Sequence, residues 1–166
     1  MAIDGPLPGA YGVSHGAGMV GQLIRHATES WAGHAFIFIG GGMIIEGAPP
    51  ATRLAPAASH PDAVWNLGEQ LTAAQRTMIV ARAHALVGEP YDYWAYVGFG
   101  LEVLGLRTGK ELEPVFKRDK WRVCSAIVAD CYAFAGIDLT AGLGYPNLVS
   151  PADLYNRIAA QEGTPR

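Results

Sequence analysis

Three side chains far apart along the chain, His34, Glu46 and Cys124, are of the types that together perform nucleophilic chemistry. Cys124 stands in Trp121-Arg122-Val123-Cys124-Ser125-Ala126-Ile127-Val128, where Val123, Ile127 and Val128 recur at helical spacing through Tyr132 and Ala135, and Gly136 supplies a stop. The spacing predicts a helix with Cys124 in its first turn. A helix N-terminus presents unpaired N–H groups and partial positive charge, and both favour the thiolate, which is the reactive form of cysteine. Cys124 is therefore the candidate nucleophile. The competing reading is the ordinary fate of a free cysteine, burial as a small hydrophobe. Cys131 fits that fate, seven residues on, mid-helix and on the same face. The two lie about 10 Å apart at the helical rise, too far for a disulfide. No Cys-x-x-Cys occurs and the five histidines are scattered, so spacing gives no metal site.

A nucleophilic cysteine needs a base, and the base needs a group that orients it. Residues 33–39 and 43–46 are β-rich runs on either side of Gly40-Gly41-Gly42, the pattern of an antiparallel hairpin. His34 opens the first arm and Glu46 closes the second, so a short loop leaves them opposite or diagonal and within reach of each other. The pattern fits an imidazole steered by a carboxylate. It fits equally a strand histidine satisfied locally beside a carboxylate in solvent, and spacing does not choose between them. Both arms are almost wholly apolar, which places the hairpin inside a sheet covered on both faces, with helices packed on it.

The remaining elements follow from turn and cap signals. Residues 1–10 form an irregular lead-in to an extended piece near Tyr11-Gly12-Val13, and Met19, Val20, Leu23, Ile24 and Ala27 give one apolar face of a helix ending near Thr28. Residues 47–62, with four prolines and Arg53, read as a loop around the sheet edge, and Val64-Trp65-Asn66-Leu67 as a short strand. Thr72 with Gln75 forms a capping box for a helix stopped by Gly88 and Pro90. A second helix, from Asp92 through Leu104, is apolar on nearly every side and makes core or one wall of an apolar groove. Residues 107–120 carry eight charges and read as an exposed loop. Ile137-Asp138-Leu139-Thr140 reads as a strand. Ser150-Pro151-Ala152-Asp153 starts a last helix that runs to about Ala160, with a frayed tail over 161–166.

With 166 residues, half of them hydrophobic, the chain suits one α+β domain spanning 1–166, its helices packed on a central antiparallel sheet. A formal charge of −3 leaves no basic stripe for nucleic acid. The first residues lack the basic start and apolar run of a secretory signal, and no window is long enough to span a bilayer. The expectation is a protein cytoplasmic as synthesised, not integral to a membrane, with action outside the cytoplasm or in a virion left open.

Several motifs, taken in order, resemble a known family. Leu23 to Gly47 carries the His34 and Glu46 block, Gly88 to Tyr93 reads Gly-Glu-Pro-Tyr-Asp-Tyr, Trp121 to Val128 carries the cysteine, and Ala135 to Tyr155 holds Ala-Gly-Ile-Asp-Leu and Val-Ser-Pro-Ala-Asp-Leu-Tyr. Together they resemble the circularly permuted, NlpC-like branch of the papain fold, the YiiX/YebB-like cysteine peptidases and amidases, over about Tyr11 to Tyr155. That branch puts histidine first, then a polar residue on the next strand, then cysteine on a helix, and His34, Glu46 and Cys124 follow this order. The resemblance implies Cys124 as nucleophile, His34 as general base and then acid, Glu46 as the group orienting the imidazole, and Tyr91 as a substrate-lining position. It implies acyl transfer through a thioacyl intermediate, with no metal or organic cofactor. The substrate it implies is a cell-wall (peptidoglycan) peptide, with the lipid acyl bond of related permuted groups as the alternative. A non-catalytic module of a larger assembly, such as a phage tail, is the reading from a different class. Tyr93, Trp94, Tyr96 and Phe99 in a groove would favour an acyl chain, whereas Arg53, Arg122 or Asp138 in reach would favour a charged peptide.

Overall fold

The computed structural model describes residues 5–66, 71–90, 124–142 and 149–162. Along them run β1 (Tyr11–Ser14), α1 (Gly18–Thr28), β2 (His34–Gly40), β3 (Met43–Ala48), β4 (Ala51–Pro56), a single 3-10 turn (Ala57–Ser59), β5 (Val64–Trp65), α2 (Ala73–Ala85), α3 (Cys124–Phe134) and α4 (Pro151–Glu162). The five strands form one antiparallel sheet in the order β4-β3-β2-β1-β5. The architecture is α+β.

The predicted hairpin is the centre of that sheet. Gly41 and Gly42 link β2 to β3 with φ of +60° and +72°, the positive pair that a two-residue hairpin turn demands and that glycine adopts without a steric cost. Alternation then sorts the side chains. Ala35, Ile37 and Ile45 face the helices and are fully buried with Tyr11 and Val13 of β1, Ile79 and Ala83 of α2, Ile127, Val128, Cys131 and Tyr132 of α3, and Leu154 and Ile158 of α4. Burying each of the larger aliphatic side chains here contributes roughly 1.5–3 kcal/mol. The opposite face buries Phe36 and Ile44 against Ala55 of β4, with Trp65 of β5 packed on them. Both faces of the hairpin are covered, the second by the chain between β4 and β5.

Two sequence expectations are corrected. Residues 47–62 are not simply a loop, because Ala51–Pro56 pair in full register with β3, from Ala48 opposite Ala51 to Met43 opposite Pro56. Pro49 and Pro50 make the turn and Pro56 ends an edge strand, the one place in a sheet where proline is tolerated. Residues 137–140 form a turn rather than a strand, since the Asp138 carboxylate accepts from the Thr140 N–H at 2.7 Å and from its hydroxyl at 2.6 Å. Those bonds hold the Asp138 carboxyl below its ordinary pKa.

The caps match expectation. The Thr72 hydroxyl accepts from the Gln75 N–H and the Gln75 side chain accepts from the Thr72 N–H, a complete capping box on α2. Ser150 and Asp153 make the same reciprocal pair at the start of α4, which extends to Glu162, two residues past the expected end. Tyr91, the apolar helix from Asp92, the charged loop 107–120 and Trp121 to Val123 lie outside the described residues. Among the described residues, no helix is long and apolar enough to cross a membrane.

Candidate functional site

His34 is the first residue of β2, and Glu46 sits in β3 opposite Phe36, so the two are diagonal across the hairpin. The imidazole donates from Nε2 to Glu46 Oε2 at 2.7 Å. With Nε2 occupied, Nδ1 is the nitrogen left for the hydrogen bond that His34 shares with Cys124. Cys124 opens the described part of α3, one turn ahead of Ile127 and Val128, which share the main core with Ile37 and Ile45. The fold thus brings His34, Glu46 and Cys124 together. Cys124 is fully buried and the His34 side chain is 14% exposed, so solvent reaches the imidazole rather than the sulfur. Cys131 is also fully buried, within the main core.

Burial alone would depress the His34 pKa, but the hydrogen bonds to Cys124 and Glu46, and the negative charge of both, outweigh it and raise the value from 6.5 to about 9. Burial likewise works against the Glu46 carboxylate, yet hydrogen bonds from His34, His60 and Arg53 hold its pKa well below the usual carboxylate range. Glu46 is 2% exposed and is not a solvent-facing strand-end charge.

The site also contains His60, which the sequence did not offer, and Arg53, which the sequence offered only as a residue favouring a charged peptide if in reach. His60 follows the 3-10 turn after β4 and donates from Nε2 to the same Glu46 Oε2 at 3.0 Å, while its Nδ1 lies 3.2 Å from Ser14 Oγ. Phe36 stacks on the His60 ring with centroids 4.6 Å apart. Arg53, the residue of β4 directly opposite Glu46, closes on the other carboxylate oxygen, Oε1, with Nε at 3.0 Å and a terminal nitrogen at 2.9 Å. Extending the hairpin across Pro49-Pro50 would have set Arg53 opposite Glu46. Nothing in the local pattern of Ser59-His60-Pro61-Asp62 announces His60. Asp62 fixes that segment by accepting from the His15 N–H at 2.8 Å.

Backbone crowding aims His34. The Gly33 N–H donates to the Ser14 carbonyl at 2.9 Å, and a Cβ at Gly33 would collide with the His15 carbonyl oxygen and lie 2.8 Å from that of Gly21. Only glycine fits there.

His34, Glu46 and His60 also form the one cluster among the described residues whose donor atoms could hold a metal ion, with all three atoms within 4.8 Å of one another. Two imidazole nitrogens and one carboxylate oxygen are the donor set of a zinc-type site. They therefore fit a transition-metal ion.

The crystal structure of metalloprotein yiiX from Escherichia coli O157:H7 (DUF1105) matches this chain with a TM-score of 0.63 at 16% identity, covering 91% of this chain and 92% of that one. The chain shares the yiiX fold. No protein-family model matches the sequence, and no curated protein does. Likeness to yiiX at this identity concerns the fold, and the chemistry rests on the residues just described.

Proposed function

We propose that this protein is a cysteine hydrolase of the permuted papain type, cleaving an amide bond through a thioacyl intermediate. The observation that carries the reading is the pairing of His34: Nε2 on a buried carboxylate at 2.7 Å and a side-chain hydrogen bond shared with Cys124. The element order supports it, with the histidine strand, the carboxylate strand and the cysteine helix following one another along the chain.

In this mechanism the Cys124 thiolate attacks the carbonyl carbon while His34 holds the proton. The developing oxyanion meets N–H groups at the start of α3. His34 Nδ1–H then protonates the leaving amine as the C–N bond breaks, giving the thioacyl enzyme. Water, deprotonated by the now neutral His34, adds to the thioester and expels the thiolate, which restores both partners. Glu46 keeps the ring oriented throughout and itself stays ionised.

The substrate class we assign is a peptide amide of the cell wall, on the strength of the family resemblance in the motifs, and such a substrate requires a route out of the cytoplasm. Tyr91 is assigned to the substrate groove on the same basis. The neighbour's description as a metalloprotein has a counterpart here: His34, Glu46 and His60 would hold a divalent ion, and such an ion, when bound, supplies Lewis-acid polarisation.

The test is digestion of purified muropeptides in parallel with N-acyl and ester lipids, with Cys124→Ser as the blank. Release of amines from muropeptides by the wild type alone is expected. Cleavage of lipid acyl bonds only would move the assignment to an acyl-lipid amidase or esterase, and no turnover of any substrate would favour a non-catalytic module.

A further inference from the structure

One carboxylate oxygen accepting from two imidazoles is more than a base-orienting group requires. We propose that His34 Nε2, His60 Nε2 and Glu46 Oε2 bind one divalent transition-metal ion of the zinc class, and that this ion and acyl transfer at Cys124 exclude each other. The second half rests on the thiol-hydrolase reading.

The donor chemistry selects the ion. Calcium and magnesium take oxygen ligands, whereas imidazole with a carboxylate suits zinc and its neighbours, and three protein ligands leave a fourth position open. Bonds of about 2.0–2.2 Å place neighbouring donors of a tetrahedral ion roughly 3.3 Å apart. The two N–O distances are now 2.7 and 3.0 Å and all three donor atoms lie within 4.8 Å of one another, so exchanging the bridging protons for an ion lengthens those two distances by a few tenths of an ångström. Ser14 suits both states, because its hydroxyl either donates to His60 Nδ1 or accepts from it. In the first case His60 presents Nε2–H to Glu46; in the second it presents a lone pair to the ion. Arg53 holds Oε1 and leaves Oε2 as the single carboxylate donor. Its charge opposes the ion, but its side chain is 57% exposed and solvent screens it. The His34 and His60 side chains are 14% and 16% exposed, so the cluster is open to an entering ion.

Exclusion follows from the two nitrogens of one ring. When the ion takes His34 Nε2, any proton on that nitrogen leaves to solvent, and the proton on Nδ1 stays facing Cys124. Giving up Nδ1–H to a leaving amine would then make an imidazolate, so the acid step of acyl transfer is blocked, and Glu46 no longer steers the ring.

The experiment dialyses the EDTA-stripped full chain against Zn2+ and Co2+, counts bound metal by elemental analysis, and records the Co2+ spectrum. One ion per chain is expected, with tetrahedral d–d bands and no thiolate charge-transfer band. Cys124→Ser should bind equally, His60→Ala and Glu46→Gln should lose stoichiometric binding, and Ser14→Ala should weaken it by about 10–100-fold. Zinc should suppress amine release from muropeptides by the wild type, EDTA should restore it, and His60→Ala should be insensitive to zinc. Absence of stoichiometric binding, or binding kept in His60→Ala and lost in Cys124→Ser, would overturn the ligand set. Zinc bound without slowing that release would overturn the exclusion alone. An inert Cys124 in the metal-free wild type would sink the thiol reading and the exclusion with it, while His60-dependent binding would still uphold the ligand set.

Discussion

Glu46 joins more of the site than any other side chain, since its two oxygens serve two imidazoles and a guanidinium. Replacing it by glutamine keeps the volume but removes the charge, at a cost on the order of 3 kcal/mol from the loss of buried charged hydrogen bonds. Urea denaturation of Glu46→Gln should show this, together with slower alkylation of Cys124. The pH dependence in metal-free protein follows from signs. The folded pKa of His34 is raised from 6.5 to about 9, so its stabilisation is complete below about 6.5 and disappears as pH rises through about 9. Glu46 is depressed, so its contribution holds above the ordinary value and disappears as pH falls below it. The midpoint difference between wild type and His34→Gln should therefore shrink between pH 7 and pH 10, and an unchanged difference would contradict the pairing. At this scale the sequence was partly legible. The types and order of His34, Glu46 and Cys124 were readable, but His60 joins them through a chain reversal after β4 that no local pattern records.

Elements aim these side chains, and their failures are instructive. The hairpin was readable because β-rich composition, a glycine turn and apolar arms all agree. Strand β4 was not, because prolines at 49, 50 and 56 suggest a loop until an edge position accounts for them. Missing β4 also hid the partnership of Arg53 with Glu46. The turn at Asp138 fooled the reading because two alternating apolar residues imitate a strand. Gly33→Ala should crowd the His15 and Gly21 carbonyls and push β2 at the residue before His34, costing about 1–3 kcal/mol and slowing Cys124 alkylation more than its stability loss explains. Thr72→Ala, remote from the site, should cost about 1 kcal/mol through the lost cap and leave alkylation untouched. Denaturation and alkylation measured on both variants separate aiming from stability.

Across the whole molecule, α3 ties the chemistry to the core. Ile127, Val128, Cys131 and Tyr132 anchor it among the strands, and the Tyr132 hydroxyl donates to the Gly9 carbonyl at 2.9 Å. Ile127→Ala should cost about 2–5 kcal/mol, read by denaturation, because it empties a filled interior beneath the cysteine. The architecture was readable as α+β because hydrophobic period and caps survive in the sequence, whereas the joining of strand and helix ends is a long-range fact. Cys124 and Cys131 supply an internal control for the central claim. Both sulfurs are fully buried on one helix, so accessibility alone predicts equal, slow reaction. The most direct measurement is the iodoacetamide alkylation of the two cysteines in metal-free protein at mildly acidic pH, resolved by peptide mass analysis. A Cys124 modified much faster than Cys131, and slowed by His34→Ala, is the expected result; two equally sluggish thiols, indifferent to His34, would contradict it.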